Sequence, residues 1–69
     1  MNWNLEGLRI EGEYLGDTKV IGRVESSRVK YGGGVQHTVI LDQPIKFRWR
    51  NELASRLLID HEHVTRVMS

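Results

Sequence analysis

Apolar and polar residues alternate with a period of two along most of the chain, the spacing of strands that bury one face. Leu8, Ile10, Gly12 and Tyr14 take the even positions and Arg9, Glu11 and Glu13 the odd ones, which predicts a half-buried strand. Gly16-Asp17 marks a turn. Val20, Gly22 and Val24 then alternate with Ile21, Arg23 and Glu25, and after Ser26-Ser27 the apolar phase moves to odd positions, Val29 and Tyr31. A one-residue phase shift inside a long strand is what a β-bulge produces, and bulges bend strands around corners. Glycine at position 22 also permits tight coiling there.

Gly32-Gly33-Gly34 predicts a hairpin, because glycine reaches positive φ without steric cost. Val35, His37, Val39 and Leu41 form the next inward series, and Asp42-Gln43-Pro44 reads as a turn or kink. Ile45, Phe47 and Trp49 alternate with Lys46, Arg48 and Arg50, a short amphipathic strand. Residues 51–56 read as a connector with room for one helical turn. Leu57-Leu58-Ile59 reads as a buried strand, His61-Glu62-His63 as a tight turn and Thr65-Arg66-Val67 as a closing strand. The pattern thus predicts an all-β chain of five or six strands with no long helix. An open sheet of that size leaves exposed edges, so closure into a five-stranded barrel is the expected solution.

The order of strand, turn, bent strand, glycine hairpin, strand, connector, strand, tight turn and short strand resembles an SH3-like barrel. In that family a 3-10 turn separates the last two strands, which would place it at Asp60-His61-Glu62-His63. Glu13-Tyr14-Leu15-Gly16 with Val20-Ile21-Gly22-Arg23-Val24 is similar to the first half of an Sm-like motif, and residues 58–67 are similar to its second half. Asp60-His61 stands where Sm-like proteins carry an Arg-Gly pair, and Ser26-Ser27-Arg28 replaces their RNA-binding loop. The resemblance therefore implies the fold more than the activity.

Composition narrows the setting. Sixty-nine residues make one domain, near the lower limit for folding alone. Cysteine is absent, which excludes disulfides, a thiolate zinc site and a cysteine nucleophile, and points to a reducing compartment. The first residues show no basic stretch followed by an apolar run, and no apolar segment approaches the roughly 20 residues of a membrane-spanning helix. A cytoplasmic protein without membrane contact is expected.

The net charge of +1 is unevenly spread. Residues 1–25 carry three bases against five acids, whereas residues 26–50 carry five bases against Asp42 alone. Lys46, Arg48 and Arg50 on one strand face stand about 6.7 Å apart, twice the strand rise. Arg28 and Lys30 extend that basic run, and Tyr31 and Trp49 can stack on bases if exposed. These seven residues are the candidate contact face for a protein or nucleic-acid partner.

His37, His61 and His63 are the weak metal candidates, because a turn at residues 61–63 spoils the geometry that two histidines on a strand would have. Ser27 and Thr38 supply hydroxyls, but no spacing specifies a nucleophile with its base. The glycine run leads into a strand, whereas phosphate loops lead into a helix. A non-enzymatic binding module without a cofactor is the expectation, with homo-oligomerisation through a barrel edge also compatible. Short chains of this kind resemble small phage-type accessory proteins, and that resemblance implies a protein partner.

Overall fold

The computed structural model describes residues 3–16, 18–46 and 51–68. The strands are β1 (Arg9–Tyr14), β2 (Thr18–Val29), β3 (Val35–Lys46), β4 (Leu53–Asp60) and β5 (Val64–Val67), and a 3-10 turn, His61–His63, precedes β5. They form one antiparallel sheet in the order β4-β3-β2-β1-β5. The chain is all-β, as its alternation predicts, and no helix among the described residues is long and apolar enough to cross a membrane.

Local chemistry accounts for the connections. Leu15 and Gly16 turn β1 into β2 with φ of 56° and 82°. At the β2–β3 hairpin Gly32 and Gly33 take φ of 99° and 106°, conformations that side chains disfavour. The Lys30 amide donates to the Gly34 carbonyl at 2.6 Å and the Gly33 amide to the Lys30 carbonyl at 3.0 Å.

The register of β2 on β3 shifts between Val24 and Ser26, where the apolar phase changes. Before the shift Val20, Gly22 and Val24 face inward; after it Ser27 stands opposite His37. Val29 and Tyr31 keep the new phase but project past the core and are exposed.

Three expectations are corrected. Asp42-Gln43-Pro44 does not end a strand: β3 runs through it as one twelve-residue strand, and the described residues form five strands. Pro44 falls between the Ile40–Arg56 and Ile45–Ala54 pairs, where the ladder to β4 is interrupted and a missing N–H costs little. The expected connector over residues 51–56 is strand from Leu53 onward, because pairing with β3 supplies its backbone partners. Within Leu57-Leu58-Ile59 only Leu57 and Ile59 are buried, and Leu58 is 50% exposed on the other face.

The buried face carries Ile10, Val20, Val24, Val39, Leu41, Ala54, Leu57 and Ile59, joined by Leu5 from the segment before β1. Hydrogen bonds from the Gly7 amide to the Val24 carbonyl and from the Val24 amide to the Leu8 carbonyl hold that segment. The edge strands β4 and β5 are separated in sequence by only three residues. The sheet therefore curls until its edges approach at the 3-10 turn. There the His63 carbonyl packs so close to β1 that a Cβ on Gly12 would lie 3.0 Å from it. Among the described residues no ladder joins β4 to β5, so the expected barrel is a curled sheet that is not closed.

Candidate functional site

Of the anticipated contact face, Arg28, Lys30, Tyr31 and Lys46 lie among the described residues. Arg28 is exposed near the end of β2 and has no ion-pair partner among the described residues. Lys30 is half-buried and engaged, its Nζ 2.9 Å from Asp60 Oδ1. That hydrogen bond holds the Asp60 carboxyl below the usual carboxylate range, against the desolvation that opposes it. Tyr31, at the hairpin tip, is wholly exposed. Lys46 lies at the far end of β3, ten positions beyond the Gln36 that pairs with Arg28. That is about 33 Å along the strand. Phe47, Arg48, Trp49 and Arg50 lie outside the described residues.

The outer face of the sheet assembles a different surface. Register places Arg9 beside Arg23, Arg23 beside Ile40 and Ile40 beside Arg56, a row crossing four strands. Arg9 reaches across β2 to form an ion pair with Asp42 on β3. Arg56 reaches across β3 to Glu25 on β2 at 3.2 Å. The two pairs cross a diagonal apolar stripe, Ile21, Ile40 and Leu58, each exposed and each the diagonal neighbour of the next, with Ile40 between the pairs and Ile21 and Leu58 beyond them. Alternation marks each of these residues as outward, but which of them become neighbours depends on register, which alternation alone does not supply.

On the same face Glu11 is buried beneath two cations, Lys19 Nζ at 2.7 Å and Arg66 at 3.0 Å. The Lys19 hydrogen bond, helped by Arg66, keeps its carboxyl below the usual range although burial pushes it up. A lowered native value means that the ionised form stabilises the fold above about pH 4.5, and that this contribution is lost as pH falls further. Glu11→Gln should therefore flatten the acid limb of a stability–pH curve between pH 5 and pH 3, read by denaturant midpoints. An unchanged limb would refute that role.

The third feature is a buried hydrogen-bonded line. His37 is fully buried. Its Nδ1 lies 2.7 Å from Ser27 Oγ and its Nε2 2.8 Å from His61 Nδ1. The Leu5 amide donates to Ser27 Oγ at 3.1 Å, and the Ser27 amide donates to Glu6 Oε2 at 3.2 Å. Burial holds the His37 imidazole below its ordinary value, and neighbouring His61 adds to that shift.

Two of the three metal candidates thus meet, but they spend their facing nitrogens on each other. His63 is exposed, and no group of three potential metal ligands occurs among the described residues. A serine, a histidine and a second histidine in line also resemble a nucleophile, its base and an orienting group. Here the hydroxyl end lies under the Leu5 amide. A groove of about 410 Å³ lies beside Ile21, Asp42 and Pro44 and one of about 270 Å³ between Lys30 and His61, and neither is lined by Ser27 or His37. The line is built to hold segments together: it joins the amino-terminal segment, β2, β3 and the 3-10 turn.

Comparison of the chain with protein-family models, with curated proteins and with solved structures finds no match.

Proposed function

We propose that this chain is a non-enzymatic docking module on an SH3-like or Sm-like frame, and that its outer sheet face binds a protein partner. The observation that carries the reading is exposed Ile40, flanked by the Arg9–Asp42 and Arg56–Glu25 pairs and continued beyond them by exposed Ile21 and Leu58. An apolar centre with an arginine-rich polar rim is the usual anatomy of a protein interface.

Magnitudes favour a protein over a polyanion on this face. Completing the burial of three half-covered aliphatic side chains contributes about 1 kcal/mol each, whereas an exposed ion pair contributes roughly 0–1 kcal/mol. Two arginines of the row already carry carboxylate partners. A phosphate backbone on this face would thus gain little beyond Arg23. The fitting occupant is a protein surface with an apolar side chain for Ile40 and a carboxylate for Arg23.

The test is quantitative capture from a bacterial lysate with three baits: the wild type, Ile40→Glu on the stripe and Glu62→Lys on the 3-10 turn. A stoichiometric protein should be retained by the wild type and by Glu62→Lys. Its retention should fall at least about tenfold with Ile40→Glu, the effect of losing one interface anchor. No retained protein, or retention indifferent to Ile40→Glu, would refute the reading. Self-association lost in Ile40→Glu would make the occupant a second copy of the chain.

A second reading has one observation in its favour: Tyr31 stands wholly exposed on the hairpin that also carries Arg28. An exposed ring beside a cation suits stacking on a single-stranded base. Salt-dependent binding of single-stranded RNA or DNA, lost in Tyr31→Ala, would move the contact to the hairpin.

A further inference from the structure

We infer that the Ser27–His37–His61 line is a proton-operated latch, which keeps the 3-10 turn and β5 docked on the sheet at neutral pH and releases them in acid. The geometry sets the proton count. At 2.8 Å the gap between His37 Nε2 and His61 Nδ1 holds one hydrogen. When both rings are neutral, the Ser27 hydroxyl donates to His37 Nδ1 and His37 Nε2–H donates to His61 Nδ1, or the whole line runs the other way. The first direction satisfies the Ser27 hydroxyl as donor and as acceptor, since its Oγ also accepts the Leu5 amide. If both rings become cations, two N–H groups face each other and two positive charges touch. The docked state therefore holds one proton fewer than the released state in acid.

The surroundings do not relieve the second charge. His37 is fully enclosed, and across the β3–β4 ladder it faces apolar Ile59. From β2 it meets the Ser27 hydroxyl. From the amino-terminal segment the Glu6 carboxylate binds the Ser27 amide and stays exposed. Beside His61, Asp60 is committed to Lys30, and Glu62 and His63 are exposed. From β1, Gly12 lies against the His63 carbonyl, while Glu11 is turned outward to Lys19 and Arg66.

The released His37 ring takes a proton near the ordinary histidine value of about 6.5. The linkage has one sign: docking is fully supported above about 6.5 and weakens as pH falls below it, because the docked His37 is held to a lower value. Each proton taken up on release makes opening about tenfold easier per pH unit. β5 pairs with β1 and with neither β2 nor β3: a short ladder, the Arg66–Glu11 ion pair, the Met68 amide on the Arg9 carbonyl at 2.7 Å and the Thr65 hydroxyl on the Glu11 carbonyl at 3.1 Å hold it. It is thus the element that the latch can free without unzipping β2 from β3.

The experiment is amide hydrogen exchange by NMR between pH 7.5 and pH 5, at several low denaturant concentrations. After correction for intrinsic rates, the β5 and Met68 amides should open about tenfold more per pH unit below 6.5, with little denaturant dependence. The β2–β3 amides should exchange only through denaturant-sensitive global unfolding. His37→Gln, which keeps hydrogen-bonding capacity but takes no proton, should abolish the pH slope in β5. β5 amides that follow denaturant as the β2–β3 amides do, no pH slope, or a slope surviving in His37→Gln would each overturn the latch. Should that variant not fold, the imidazole 15N shifts of the wild type decide. Coupled titration of His37 and His61 supports the latch, and independent titration at the ordinary value overturns it.

Discussion

Replacing Gly22 with alanine is expected to lower the unfolding temperature by about 12 °C or more, or to leave the domain unfolded. The reason is contact and not backbone conformation. A Cβ at this position would lie 2.2 Å from the Ile40 carbonyl oxygen and 2.9 Å from Leu41 Cα, both main-chain atoms of the paired strand. Neither can swing away, so β2 and β3 would have to part at the centre of the sheet, where Gly22 pairs with both Ile10 and Leu41. Overpacking against a rigid neighbour costs about 3 kcal/mol, while a chain of this length has about 3–10 kcal/mol in total.

Gly34→Ala is the matching control. Its new Cβ would meet Lys30 Cε at 2.9 Å, the movable end of a long side chain. A change of only a few degrees is expected there. Equal losses in the two variants, measured by thermal melts of both, would show that close approach is not the constraint at position 22.

Ile59→Ala should be the second large effect, at about 2–5 kcal/mol. Ile59 is 2% exposed and lies opposite His37 in the β3–β4 ladder, so truncation opens a void against the histidine line as well as removing apolar contact. Leu58→Ala, one residue earlier on the same strand, faces outward and should cost far less. Denaturant titrations with a shared slope measure both. A Leu58 loss as large as that of Ile59 would mean that a partner or a second copy covers the outer face of the purified protein. The same Leu58→Ala variant should weaken capture of the proposed partner while leaving the fold intact.

The contrast between Leu58 and Ile59 shows how far alternation reaches. A run of three apolar residues is compatible with a strand buried on both faces, and only the sheet's having one face turned out, as it also is at Ile21 and Ile40, separates them. The glycine hairpin was legible in the chain, as were a turn near Gly16 and a phase change near Ser26-Ser27, because each is set by neighbours within a few residues; the register shift itself falls slightly earlier, between Val24 and Ser26. Pro44 misled for the same reason: a proline reads locally as a break, yet here the ladder is interrupted around it and the strand continues.

Pairing is the physical quantity that local spacing leaves open. Arg9, Arg23, Ile40 and Arg56 are scattered over four strands, and a slip of one residue in any ladder would turn a strand's side chains to the other face. His37 and His61 are 24 residues apart and meet because β4 leads straight into the 3-10 turn that folds the sheet edge back over β3. Local alternation, glycine and phase determine an all-β chain with strands and turns in nearly these places. Register and curl, which depend on the summed burial of both faces, determine which charges flank the apolar stripe and which two imidazoles share a proton.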